Sequence, residues 1–176
     1  MPHWSVAILT LGYPALIYWG SQYWSTSVVA LLAAPLLLAS SCRGLGGWWL
    51  AGGIGGLVLL TIGFDHPLPL KLYPVLVNCG LLALFAASLR CPPSMAERFA
   101  RLRQPDLPPA AVAYTRRVTE AWCAFFVGNG SIALSTAVWG SDRVWFWYNG
   151  VCAYVMIGAM FAGEWLVRRR VLREQR

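Results

Sequence analysis

Charge is scarce in this chain, and the chemistry that charge usually carries is scarcer still. Only 12% of the 176 residues are charged, with seven acids, two histidines and a single lysine, Lys71. His3 and His66 make no HExxH or HxxxxD pattern, and no GxSxG elbow occurs. Asp65, Asp106 and Asp142 are too few for the repeated-aspartate metal site of membrane phosphotransferases. The one adjacent carboxylate and imidazole, Asp65-His66, precede Pro67, where turn chemistry is the commoner use of such residues. Lys71 follows leucine rather than glycine, which excludes a phosphate loop. Cys42, Cys79, Cys91, Cys123 and Cys152 form an odd, scattered set without a CxxC pair, so neither a disulfide framework nor a tetrahedral zinc site is expected. No catalytic residue is assigned, and no cofactor, metal or nucleic-acid partner is expected.

What is abundant is apolar surface. The chain is 58% hydrophobic with a mean hydropathy of +0.56, whereas soluble domains carry about 25% charged residues. About 20 helical residues at 1.5 Å each cover a hydrocarbon layer about 30 Å thick. Apolar runs of that order lie at residues 4–20, 24–41, 46–64, 71–89, 120–139 and 145–167. They predict an all-α polytopic membrane helical bundle, a single integral membrane domain over residues 1–176. Pro14 and Pro35 fall inside the first two runs, where membrane helices tolerate them.

Orientation follows from the arginines. With the amino terminus inside, that side carries Arg43, Arg90, Arg98, Arg101, Arg103, Arg116, Arg117, Arg168, Arg169, Arg170, Arg173 and Arg176, and the other side only Lys71 and Arg143. The positive-inside bias then places both termini in the cytoplasm, across a bacterial inner membrane. Indole rings prefer the headgroup level. Trp4, Trp48, Trp49, Trp122 and Trp165 are expected at the inner interface, and Trp19, Trp24, Trp139, Trp145 and Trp147 at the outer one. The first run has no lysine or arginine before it and no clear small-residue cleavage site after it, so it reads as a retained span.

The inner loop 90–119 contains Ser94-Met95-Ala96-Glu97, a capping-box pattern that predicts an amphipathic helix near residues 94–104. Met95, Phe99 and Leu102 fall at i, i+4 and i+7. Arg98, Arg101 and Arg103 point elsewhere and are expected to contact anionic headgroups, the alternative being a solvated charge cluster. Glu120 and Glu164 lie near hydrocarbon, where a carboxylate needs a partner. Arg116, Arg117 and Arg168 stand three or four residues away, so structural pairing is favoured over a proton or substrate role. Asn78 and Asn129 fall in mid-span, and a direct hydrogen bond between the fourth and fifth spans is the simpler account of both. Gly52 and Gly56, and Gly158 with Ala162, offer small-residue surfaces for close helix packing.

Three strings, Lys71-Leu72-Tyr73-Pro74-Val75-Leu76-Val77-Asn78, Tyr114-Thr115-Arg116-Arg117-Val118-Thr119 and Trp147-Tyr148-Asn149-Gly150, carry a resemblance. The chain from Lys71 onward resembles an uncharacterised family of bacterial multi-pass inner-membrane proteins that often accompany aryl-polyene or fatty-acid-like biosynthesis genes. By that resemblance Asn78, Arg116, Arg117 and Asn149 are motif positions, with no catalytic role attached.

The functional expectation is a non-enzymatic accessory protein that handles or tethers lipid-like acyl or polyene intermediates. Its arginine-rich inner face would meet membrane lipid, acyl carrier or biosynthetic enzymes. Asn78, Arg116, Arg117, Glu120, Asn129, Asn149 and Glu164 are the candidate substrate or partner contacts. Two other classes stay open: a small transporter or flippase with its polar path at the level of Asn78 and Asn129, and a membrane enzyme that uses the inner-face glutamates and arginines on a lipid. Homo-oligomerisation stays open as well. The orientation is tested by thiol labelling of intact cells in a cysteine-free background. Cysteines placed at Gln22 and Ser141 should react with an impermeant maleimide and one at Gln175 should not; the reverse pattern refutes the topology.

Overall fold

The computed structural model describes residues 14–15, 17–20, 23–25, 28, 47–64, 66–102 and 104–174, with the side chains of 47–51 and 168–174 outside the description. The expected runs 4–20 and 24–41 therefore lie largely outside the described residues, as does Arg103. Among the described residues every regular element is helical. In chain order these are α1 Gly47–Phe64, α2 Leu68–Lys71, α3 Tyr73–Arg90, α4 Met95–Arg101, α5 Pro109–Val138, α6 Asp142–Trp147, a π-helical turn Tyr148–Cys152, and α7 Ala153–Glu174. Leu68–Arg90, Pro109–Val138 and Asp142–Val167 are 23, 30 and 26 residues long and apolar enough to cross a membrane. The shortest extends about 35 Å at 1.5 Å per residue.

Prolines and small polar residues set the helix ends. Pro67 and Pro69 start α2, where a missing N–H costs nothing, and the Leu72 N–H turns back onto Leu68 O and Pro69 O to lead into α3. After Arg90 the run Cys91-Pro92-Pro93 ends α3, with the Pro92–Pro93 peptide bond cis. The helix that contains the expected fifth span begins at Pro109, before Glu120, and so carries Arg116 and Arg117 of the expected loop 90–119 as well. At the far end of α5 the Gly140 N–H bonds Thr136 O at 3.1 Å, and a Cβ on Gly140 would lie 2.5 Å from that oxygen. Only glycine accepts so close an approach. Ser141 then caps α6, its hydroxyl accepting from the Val144 N–H at 3.3 Å.

The chain divides into two compact units, and α3, α5 and the start of α7 contribute residues to both. The first holds residues 1–77 and 130–153. Its core is Ile17, Ile54, Val58, Leu70, Tyr73, Ala137 and Trp145. Trp145 is 1% exposed, and its Nε1 donates to Lys71 O at 3.1 Å. Trp145 was expected at a lipid interface; it is a core residue because the fold supplies its indole N–H with a carbonyl. The Lys71 ammonium, with its side chain 11% exposed, meets the half-exposed Asp142 carboxylate at 2.5 Å. Among the described residues, Gly53 packs closely, since a Cβ there would lie 2.8 Å from a Leu76 methyl, while nothing described comes within 4 Å at Gly52, Gly56 or Gly158.

The second unit holds residues 78–129 and 154–176. Trp122, also expected at an interface, is buried among Phe85, Phe125, Phe126 and Phe161, the last with its ring centroid 4.9 Å away. Tilted and edge-on contacts such as these suit the ring quadrupoles. Across both units the helices turn apolar side chains outward: Leu59, Phe64, Val155 and Phe161 are all more than half exposed.

The Lys71–Asp142 pair gives a stability prediction. Asp142→Asn strands a nearly buried ammonium. Because Asp142 itself is half exposed, the expected loss is about 1–3 kcal/mol rather than the ~3–5 kcal/mol of a fully buried pair. Lys71→Met added to Asp142→Asn should recover most of it in thermal unfolding in detergent. A double mutant no more stable than Asp142→Asn contradicts the assignment.

Candidate functional site

Polar side chains withdrawn from the surface concentrate in the second unit. Among the described residues, Asn78, Ser88, Ser94, Glu97, Thr115, Thr119 and Asn129 are buried there, against Thr61, Lys71 and Asn149 in the first. Most of the seven gather where α3 ends, α4 sits and α5 begins.

The seating of α4 is made by hydroxyls distant in sequence. A helix leaves its first N–H groups without internal partners. Here the Met95 N–H donates to Ser88 Oγ at 2.9 Å, and the Ala96 N–H to Thr119 Oγ1 at 3.2 Å. Each hydroxyl also donates, Ser88 to Phe85 O at 2.7 Å and Thr119 to Thr115 O at 2.9 Å. The expected capping box is not formed. Ser94 has the extended backbone of an N-cap, but its hydroxyl makes no cap bond, and Glu97 reaches forward to Arg101 at 2.7 Å instead of back to Ser94. The remote hydroxyls take the Met95 and Ala96 N–H groups, which a capping box does not reach, and Glu97 is spent on Arg101.

This seating inverts the usual polarity of a surface helix. Glu97 and Ser94 are 6% and 4% exposed, whereas Phe99 and Leu102 are 62% and 81% exposed. The helix itself spans Met95–Arg101, shorter than the expected 94–104. Beside it opens a cleft of about 250 Å³, lined by Ser88, Ser94, Glu97 and Arg116 together with Pro92 and Val112. The Ser94 hydroxyl is buried there without a hydrogen-bond partner.

The sequence candidates fall as follows. Asn129 Nδ2 donates to Asn78 Oδ1 at 3.1 Å, joining the two mid-span amides. Arg116 Nε meets Glu120 at 3.3 Å and Arg116 Nη1 donates to Leu89 O at 3.2 Å. Arg117 is exposed. Arg98 Nε donates to Pro93 O at 2.9 Å, and Arg101 binds Glu97 and Pro105 O. The Glu164 carbonyl, not its carboxylate, accepts from the Tyr114 hydroxyl at 3.3 Å; the Arg168 side chain lies outside the description. Asn149 stands in the first unit, on the π-helical turn, and its amide donates to Trp145 O at 3.0 Å and Thr136 Oγ1 at 3.2 Å. Sequence reasoning missed Ser88, Ser94, Glu97 and Thr119 as site residues. The signal available was the pair Thr115 and Thr119, four apart and so on one face of a helix.

Comparison with protein-family models, with curated proteins and with solved structures finds no match.

The amide pair separates packing from transport. If its role is packing, Asn78→Leu or Asn129→Leu each costs about 0.6–2 kcal/mol and the double mutant adds less than the sum. Function then tracks the amount of folded protein. A single mutant that melts like wild type yet is inactive would favour a polar transport path instead.

Proposed function

We propose that this chain is a multi-pass inner-membrane accessory protein that handles or tethers lipid-like acyl or polyene molecules, or the enzymes that make them, at its arginine-rich cytoplasmic face. The observation that carries the reading is the inverted helix α4, which buries Glu97 and presents Phe99 and Leu102. An apolar edge held outward beside exposed Arg98 and Arg101 suits an acyl chain at the headgroup boundary, with the guanidinium groups toward anionic groups. The outward apolar surface of the long helices suits hydrocarbon in the same way. The three motif strings from Lys71 onward support the same reading.

The other classes have less behind them. A transporter reading relies on Asn78 and Asn129, whose amides answer one another. An enzyme reading relies on Glu97 and Glu120, each held by an arginine.

The test is the cargo of the full-length protein purified in mild detergent. Mass spectrometry should find long-chain acyl or polyenyl molecules, free or carrier-bound, in excess over bulk membrane lipid. Burial of a Phe or Leu side chain contributes ~1.5–3 kcal/mol. Phe99→Ser combined with Leu102→Ser should therefore lower cargo retention about tenfold or more at unchanged melting temperature. Solute-dependent flux in proteoliposomes, or turnover of a lipid without retained cargo, would replace this reading.

A further inference from the structure

We infer that the cleft between α3, α4 and α5 is a binding site for a phosphoethanolamine headgroup, with Ser94 and Glu97 receiving the ammonium and Arg116 the phosphate. The inference rests on the reading of α4 as an interfacial helix, and not on which acyl cargo the protein handles.

Ser94 begins the argument. Its hydroxyl is 96% withdrawn from solvent, by a residue exposure of 4%, and has no partner. A buried polar group left unmet costs about as much as a lost hydrogen bond or more. Ser94 occupies the N-cap position of α4, yet its hydroxyl makes no cap bond, so it contributes nothing to holding the helix. Ser94 is also a lining residue of the cleft, so a ligand seated there could give the hydroxyl its partner.

Glu97 supplies the sign of that ligand. Its carboxylate is buried, and both contacts from Arg101, at 2.9 and 2.7 Å, end on Oε1. Oε2 is left for a further donor. A carboxylate oxygen and a hydroxyl on one cleft call for a group rich in N–H donors, which an ammonium is and a quaternary trimethylammonium is not. Arg116 supplies the other sign. Two of its N–H groups are engaged, by Glu120 and Leu89 O, and a guanidinium has five in a fork that matches phosphate oxygens.

The charges are balanced within the site: Glu97 against Arg101, Arg116 against Glu120. A zwitterion keeps that balance, whereas an anionic headgroup such as phosphoglycerol adds a net negative charge beside Glu97. Size agrees. About 250 Å³ is below the ~300–1,000 Å³ of pockets that enclose drug-sized molecules, so the cleft takes a headgroup and not its acyl chains. Pro92 and Val112 offer apolar wall to the two methylene carbons. The cleft also lies where the apolar stretch of α3 gives way to Arg90, the depth at which headgroups are met.

The experiment uses the full-length protein in nanodiscs of equimolar phosphatidylethanolamine, phosphatidylcholine and phosphatidylglycerol, with retained lipid read by native mass spectrometry. Phosphatidylethanolamine should be retained about tenfold over either competitor. Ser94→Ala should lower that retention about fivefold while the lipid-free melting temperature holds or rises, because the hydroxyl it removes has no partner to lose. Glu97→Gln should abolish the preference over phosphatidylglycerol, and Arg116→Gln should weaken retention of all three phospholipids. Where Glu97→Gln fails to fold, Ser94→Ala decides. Soluble phosphoethanolamine that protects the delipidated protein at millimolar concentration supports a free source of the same group; protection by the lipid alone supports a membrane source. Equal retention of phosphatidylcholine and phosphatidylethanolamine, or unchanged retention in Ser94→Ala, overturns the site. Loss of headgroup selectivity with acyl cargo still bound would sink this inference and leave the proposed function standing.

Discussion

The Thr119 hydroxyl has no exposure to solvent, and it works in two directions, donating to Thr115 O and accepting from the Ala96 N–H. The loop architecture depends on that small exchange. A helix of seven residues is far too short to persist by itself. It persists here because Thr119 and Ser88 receive its first two N–H groups, which would otherwise be unmet at a cost of several kcal/mol in a low-dielectric setting. With α4 fixed, Glu97 is carried inward, Arg101 follows it, and Phe99 and Leu102 are left outside. The cleft is the space that this arrangement leaves beside α5.

The same requirement runs along the long helices. Each polar side chain that leaves the surface finds an acceptor or donor on a neighbour: Asn129 on Asn78, Asn149 on Thr136 and its own turn, Trp145 on Lys71 O. The Asn149 bonds fall on a π-helical turn, where the widened backbone ladder leaves Trp145 O within reach of a side-chain amide. Apolar side chains meanwhile face out. In water the exposed Leu59, Phe64, Val155 and Phe161 would be a liability; against hydrocarbon they cost nothing.

Helix content and the three long apolar stretches were legible because they follow from run length, which composition displays directly. The Asn78–Asn129 bond was legible for a related reason: two amides in apolar runs have few other solutions. Tertiary choices were not. Trp122 and Trp145 carry the same indole as Trp139, and only the fold decides which ring meets a carbonyl or a phenylalanine cluster and which stays exposed. Among the described residues, Gly53 packs closely because of where Leu76 sits, and no spacing rule contains Leu76. The capping box failed at Ser94 for the same reason. The seat of α4 is made by Ser88, seven residues before Met95, and Thr119, twenty-three after Ala96, and Glu97 turns to Arg101 rather than back to Ser94.

Two kinds of electrostatics then meet on one face. Arg98 and Arg117 are exposed, so their attraction for anionic headgroups is long in reach and fades within a Debye length of about 8–10 Å at ordinary salt. Glu97 is buried while its partner Arg101 stays partly exposed, so the pair is screened less than two surface charges but not shielded outright. On the proposed reading, exposed arginines would draw negative surface toward α4 without choosing among anionic molecules, while the proposed cleft would act at contact range and by hydrogen-bond geometry. The proposal thus gives attraction and discrimination to different residues, and the seven-residue helix can carry both because its first turn is seated on Ser88 of α3 and Thr119 of α5.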